Sequence, residues 1–274
     1  MQTIKRLFNF YIFSSIHVAL GVFCFVKLTL KNFGVEENIT ALFCFFSTIL
    51  SYNFIRFLNE SFEKDWLSNW YRNHKSLLVI ISFISAIIVL YLSFSFRIES
   101  LMILLPFFIL TLFYGMKLPR KLVTLRRVPG LKIFLIAFCF AGVTVLFPLV
   151  QNEIDIDVII WWFFLQRMFF VILITLPFDI RDVDFDSDQL RTIPQQFGHF
   201  TTKLLGLILI LGIFTIELFI FGKEFNEMFI LLTICSLSFV LLLFSRKEQS
   251  KYYSAFWVEA IPIFWLLLLL GLNF

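Results

Sequence analysis

The feature that most constrains this chain is a succession of nine long apolar runs separated by short polar stretches. They cover residues 10–30, 40–58, 77–96, 100–116, 131–150, 158–178, 203–222, 228–244 and 256–273. About 20 apolar residues in a helix cross the hydrocarbon of a bilayer, and inside lipid every backbone polar group must bond within its own helix. The runs therefore predict an all-α integral membrane protein with nine transmembrane helices. Composition agrees: 60% of residues are apolar and 15% charged. A soluble domain has about half and about a quarter, so a soluble enzyme is excluded, and the apolar content excludes a disordered chain. The first run is too long for a signal-peptide core and lacks a small-residue cleavage site, so it is expected to be the first span. No linker or low-complexity segment divides the chain, which reads as one polytopic domain over residues 1–274. The four cysteines lie inside apolar runs without paired spacing and read as small hydrophobes.

Lysine and arginine counts in the connecting segments set the orientation. Alternating the nine spans from the N-terminus places 18 of the 23 basic residues on the starting side, 4 on the other, and Arg167 within a span. The N-terminus is thus expected in the cytoplasm and the C-terminus outside, in the cell's inner membrane. A net charge of +4 distributed this way is a topology signal, with no nucleic-acid partner implied. The long polar segments 59–76, 117–130 and 179–202 all fall on the cytoplasmic side, where any chemistry is expected.

The sixth run ends in Leu-Pro and continues as FDIRDVDFDSDQLRTIP. Asp179, Asp182 and Asp186, spaced i, i+3, i+7, would share one face of a continuing helix, while Asp184 and Asp188 project elsewhere. Three carboxylates on one face repel each other unless a cation lies among them. Oxygen ligands suit Mg2+, which takes one or two carboxylates plus substrate phosphates. Two readings stand side by side: a cradle for a metal–diphosphate, or a solvated acidic loop. Arg181 and Arg191 supply counter-charge in either case.

The string DIRDVDFD followed by Arg191-Thr192-Ile193-Pro194 resembles the second aspartate-rich motif of the UbiA-type membrane prenyltransferase superfamily. The topology of nine spans with this motif after the sixth is similar too. The resemblance implies a helical bundle around a central cavity and transfer of an isoprenyl group from a prenyl diphosphate to a lipophilic or aromatic acceptor, such as a quinone precursor. It implies Asp179, Asp182 and Asp186 as the catalytic residues and Mg2+ ligands. It also directs attention to the loop between spans four and five, where Tyr114, Lys117 and Lys132 become candidates for the diphosphate. Arg120, Lys121, Arg126 and Arg127 behind them fit either that role or lipid headgroups.

The family's first aspartate motif is degenerate. Aligned from Asn53, its three acidic positions hold Phe54, Phe57 and Ser61. A slipped register offers Asn59, Glu60 and Glu63. Arg56 cannot hold a metal, but a guanidinium binds phosphate oxygens or opposing carboxylates. Asn53 and Arg56 are thus expected as a cationic face opposite the aspartates. Loss of the first motif equally suits a catalytically weak or inactive homologue that binds without turning over.

Ionisable groups inside spans are costly and mark function or internal pairing. His17 and Glu259 are placed to approach an acceptor pocket, His17 equally to join two helices. Arg167 lies too deep for a diphosphate, and Glu217 matches its depth for an ion pair. Transport is disfavoured, because no Gly/Pro-broken pair of spans is evident. No dinucleotide fingerprint, phosphate loop, zinc-protease motif or nucleophile elbow is present.

Overall fold

The computed structural model describes residues 2–59, 66–115, 128–186, 190–222 and 225–272, and all regular structure among them is helical. Lys117, the neighbouring basic residues 120–127 and Glu60, Glu63 and Asp188 lie outside the described residues. In chain order the helices are α1 (Gln2–Phe13), α2 (Ile16–Asn32), α3 (Ile39–Asn59), α4 (Trp66–Asn73), α5 (Lys75–Ser93), α6 (Ile98–Gly115), α7 (Leu131–Ala141), α8 (Phe147–Gln151), α9 (Val158–Arg181), α10 (Ile193–Ile216), α11 (Phe225–Phe244) and α12 (Ile261–Leu272). Helical segments merge through wide π-turns at Gly142–Leu146, Glu217–Phe221 and Tyr253–Val258. The result, among the described residues, is eight helices long and apolar enough to cross a membrane, and nine if α1 and α2 are taken as one.

That first span differs from the expected 10–30 rod. It breaks between Phe13 and Ile16, and its two parts meet at 53°. Ser15 sits there in the left-handed region at φ 74. An L-residue in that region is strained unless its surroundings hold it.

Large apolar side chains face outward on α5 and α6: Phe83, Leu90, Tyr91, Met102 and Leu105 are exposed. Their inward positions hold Ser82, Ser85 and Ser100. Lipid is as apolar as leucine, so small residues that let helices approach collect inside. The interior is centred on α9, which packs against α7, α10 and α11. Phe25, Phe170, Leu173, Ile213, Ile234 and Ile261 meet around it.

Gly142 shows how tight this packing is. A Cβ there would lie 2.1 Å from Cζ of the buried Phe107 ring. Gly142→Ala is expected to destabilise the protein by about 1–3 kcal/mol through overpacking, read as a lower midpoint of thermal unfolding in detergent. An unchanged midpoint would show that the Phe107 ring gives way freely.

Midway through the bundle, Arg167 donates to the Phe25 carbonyl at 3.1 Å and to Thr29 and Thr144, with the Phe25 ring 4.6 Å from its guanidinium carbon. The expected partner Glu217 instead takes the Gln166 amide. Threonine hydroxyls and a helical carbonyl satisfy the guanidinium without a second buried charge.

Candidate active site

Five spans and the loop after α9 meet at one end of the bundle. α9 starts at Asp157, whose carboxylate caps the amide of Ile160 at 3.0 Å. It ends at Arg181, and Asp182 is the residue just past the end. The chain then turns, with the Asp186 amide bonded back to the Asp182 carbonyl at 2.7 Å. The aspartates therefore do not share the face of one continuous helix, as the i, i+3, i+7 reading supposes. A single turn past the helix end, closed by that bond, brings Asp186 back to Asp179.

That turn is pinned from the following helix. Gln195, in the first turn of α10, accepts the Thr192 amide at 2.9 Å and donates to the carbonyls of Val183 at 3.2 Å and Asp186 at 2.9 Å. Pro194 lies beside it in the opening turn, where a missing amide hydrogen costs nothing. The Arg-Thr-Ile-Pro segment is thus a clamp for the acidic turn. Gln195 carries that role and went unnoticed in the sequence, although a glutamine three residues after a threonine is a capping signal.

Lys132, at the start of α7, bridges the two ends of the acidic segment. Its Nζ is 3.0 Å from Asp179 Oδ1 and 2.9 Å from Asp186 Oδ2. The Asp179 side chain is 2% exposed and that of Lys132 14%. Asp182 is engaged elsewhere: Arg181 grips it with Nε and Nη2 at 2.7 and 2.9 Å. Asp184 pairs with Lys247 at 2.7 Å near the surface. Among the described residues no three carboxylate, imidazole or thiolate groups gather as one cation site. Two of them do converge on one cation, the ammonium of Lys132. Asp179 and Asp186 thus face a single cationic group, and their carboxylate oxygens are donors of the hard type that Mg2+ takes.

Other groups complete a ring. Tyr114, at the end of α6, is within electrostatic reach of Lys132 and of Tyr52 on α3. Arg181 reaches both Asp186 and Glu259, and Glu259 also feels Arg56. Tyr52 and Glu259 are both half-buried among these helices.

Asn53 and Arg56 make their hydrogen bonds to the first span and to α5. Arg56 Nη1 donates to the Phe13 carbonyl at 3.0 Å, to Ser15 Oγ at 2.6 Å and to Asn53 Oδ1 at 3.3 Å. Asn53, 1% exposed, donates in turn to Ser82 Oγ at 3.1 Å. The pair fastens the break between α1 and α2, with the Arg56 guanidinium carbon 5.8 Å from the centre of the Tyr52 ring. His17 likewise joins two helices. Its Nε2 lies 2.9 Å from the Phe256 carbonyl and its Nδ1 2.8 Å from the Tyr11 hydroxyl. A carbonyl only accepts, so Nε2 carries the proton and Nδ1 accepts from Tyr11, which leaves neither nitrogen for an acceptor. Arg191 is exposed at φ 43, and its carbonyl takes the Gln196 amide. A separate cavity lined by Asn32, Gln166, Glu217 and Glu227 lies toward the opposite end of the bundle.

No protein-family model matches the chain, and no curated protein matches it in sequence. Two solved structures match in shape. One is an apo structure of a UbiA homologue from Aeropyrum pernix K1, with a TM-score of 0.64, 11% identity and coverage of 96% of this chain and 98% of that one. The chain has the UbiA-type membrane prenyltransferase fold. The other, from work on the digeranylgeranylglyceryl phosphate synthase in membranes, aligns at a TM-score of 0.58 and 14% identity over 97% of this chain and 98% of that one. At these identities the likeness is one of architecture. Within the UbiA-type fold of this chain, the ring around Lys132 stands at the end of the bundle where α6, α7 and α9 meet the loops.

Proposed function

We propose that this chain is a membrane prenyltransferase, moving an isoprenyl group from a prenyl diphosphate to a lipophilic or aromatic acceptor at the cytoplasmic face of the inner membrane. The observation that carries the reading is the convergence of Asp179 and Asp186 on Lys132 at the mouth of a UbiA-type bundle. Those two aspartates would hold Mg2+, which when bound neutralises charge on the departing diphosphate. Lys132 and Arg181 offer cationic donors to phosphate oxygens, and Tyr114 a phenol beside Lys132. Gln195 holds the acidic turn in place during binding. The apolar spans keep water from the allylic carbon as its bond to oxygen weakens.

A second reading has one observation in its favour. The positions of the degenerate first motif carry Phe54 and Phe57, and Arg56 is committed to Phe13 and Ser15. That arrangement suits a protein that binds a prenyl diphosphate without transferring the prenyl group. Membranes containing the protein, incubated with radiolabelled prenyl diphosphates of several chain lengths, separate the two. Transfer predicts a prenylated lipid product that disappears in Asp179→Asn. Saturable binding of the label with no product and no diphosphate release would favour the binder.

A further inference from the structure

Glu259 has no part in the reading above, yet it is an ionisable group inside the last apolar span. It follows the π-turn Tyr253–Val258, and its amide bonds back five residues to the Ser254 carbonyl at 3.2 Å. Such a turn inserts one extra residue and re-aims the side chains beyond it, often at functional sites. Here the Glu259 side chain just beyond it is half-buried. Six residues past Tyr253, Glu259 lies about 9 Å into its span at about 1.5 Å per residue.

Among the described residues the Glu259 carboxylate makes no hydrogen bond and no ion pair within 4.0 Å. It interacts electrostatically with Arg56 and Arg181 and with the phenols of Tyr11 and Tyr52. Both arginines have other commitments, to Phe13 and Ser15 and to Asp182. Two cations at a distance balance the charge, but no donor fills the hydrogen-bonding capacity of the oxygens. A half-buried carboxylate without a donor from the bundle has capacity for one from outside, which a hydrogen-bond-donating substrate supplies. Arg181 interacts electrostatically with both Glu259 and Asp186, which puts Glu259 at the same end of the bundle as the aspartates.

We propose that Glu259 is the acceptor-binding carboxylate: it takes the hydrogen bond of a neutral, hydroxyl-bearing acceptor and then that hydroxyl's proton. The proposal rests on the prenyl-transfer reading. In the transfer the acceptor oxygen forms a bond to the allylic carbon. The bond from that carbon to the diphosphate oxygen breaks, with its electron pair leaving on the diphosphate. The hydroxyl proton passes to Glu259. An acceptor that itself carries a carboxylate is repelled by the same charge.

The test uses the purified full chain in detergent with geranylgeranyl diphosphate and two probe acceptors, hydroquinone and 4-hydroxybenzoate. The wild type is expected to make the hydroquinone ether in preference to any 4-hydroxybenzoate product. Glu259→Gln is expected to slow hydroquinone transfer about 100-fold or more, the scale of a lost general base, with geranylgeranyl diphosphate affinity within about twofold by calorimetry. Its unfolding midpoint is expected to hold or rise, since a charge without a direct partner has been removed. Turnover by Glu259→Gln near the wild-type rate overturns the proposal, as does wild-type preference for 4-hydroxybenzoate or binding of the diphosphate without transfer to hydroquinone. So does a fall in diphosphate affinity equal to that of Lys132→Met, which would assign Glu259 to the diphosphate. A wild type that binds no prenyl diphosphate defeats the prenyl-transfer reading itself, which the calorimetry reports separately.

Discussion

Lys132→Met is expected to lower stability by about 3–5 kcal/mol, because it removes one member of a buried charge cluster and leaves the others facing each other. Asp179 and Asp186 both lie within 3.0 Å of the ammonium that would disappear. Thermal unfolding in detergent measures the loss. The cradle has a second consequence. Without its internal cation the carboxylate pair favours an external one, so millimolar Mg2+ should raise the midpoint of Lys132→Met more than that of the wild type. The gain should vanish in the double variant with Asp179→Asn. A Mg2+ response equal in all three proteins would mean that the two carboxylates are no cation site. Prenyl-diphosphate affinity is expected to fall by at least about tenfold as well, since a charge-assisted bond to phosphate is lost.

The second large effect is expected at Arg56, and its readout is stability. Arg56→Ala deletes donors to Phe13, Ser15 and Asn53 at the one sharp break in the first span. Hydrogen bonds from a charged group contribute about 1.5–3 kcal/mol, so a loss near the upper end is expected. Lysine should not restore it, because an ammonium cannot reproduce a planar guanidinium fork. Prenyl-diphosphate affinity per folded molecule should change little. Stability intact with affinity lost would return Arg56 to the diphosphate site and undo the structural assignment.

The contrast between Arg56 and Lys132 shows what could be read before the fold was known. The spans were legible because the bilayer imposes one requirement on every crossing helix, a run of about 20 apolar residues. Asp179 and Lys132 were legible because charges at the ends of such runs stand out against them. The break at Ser14–Ser15 was not, since a serine pair in an apolar run looks like any other, and its left-handed residue is held by a side chain 41 positions away. Arg56 was assigned by sign alone. Its partners are a carbonyl and a hydroxyl on another helix, which no spacing rule reports. The arrangement of the aspartate trio was legible only in part, for a local reason. The i, i+3, i+7 pattern assumes a helix running on past Arg181, while the chain turns at Asp182 and Gln195 fixes the turn from outside.

The wide turn at Tyr253–Val258 has one more consequence, in the azimuth of the last span. An α-helix advances about 100° per residue, so a single surplus residue rotates everything beyond it by roughly that angle relative to a regular rod. Trp265 packs on Phe170 and Leu269 is buried in the common core, deep in the span. Before the surplus residue, Tyr252 serves Asn9, and the Phe256 carbonyl within the wide turn serves His17. A regular helix would have to give up one set of neighbours to keep the other. The last span is in effect two dials on one shaft, offset so that its outer portion is set by the N-terminal helices and its inner portion by α9.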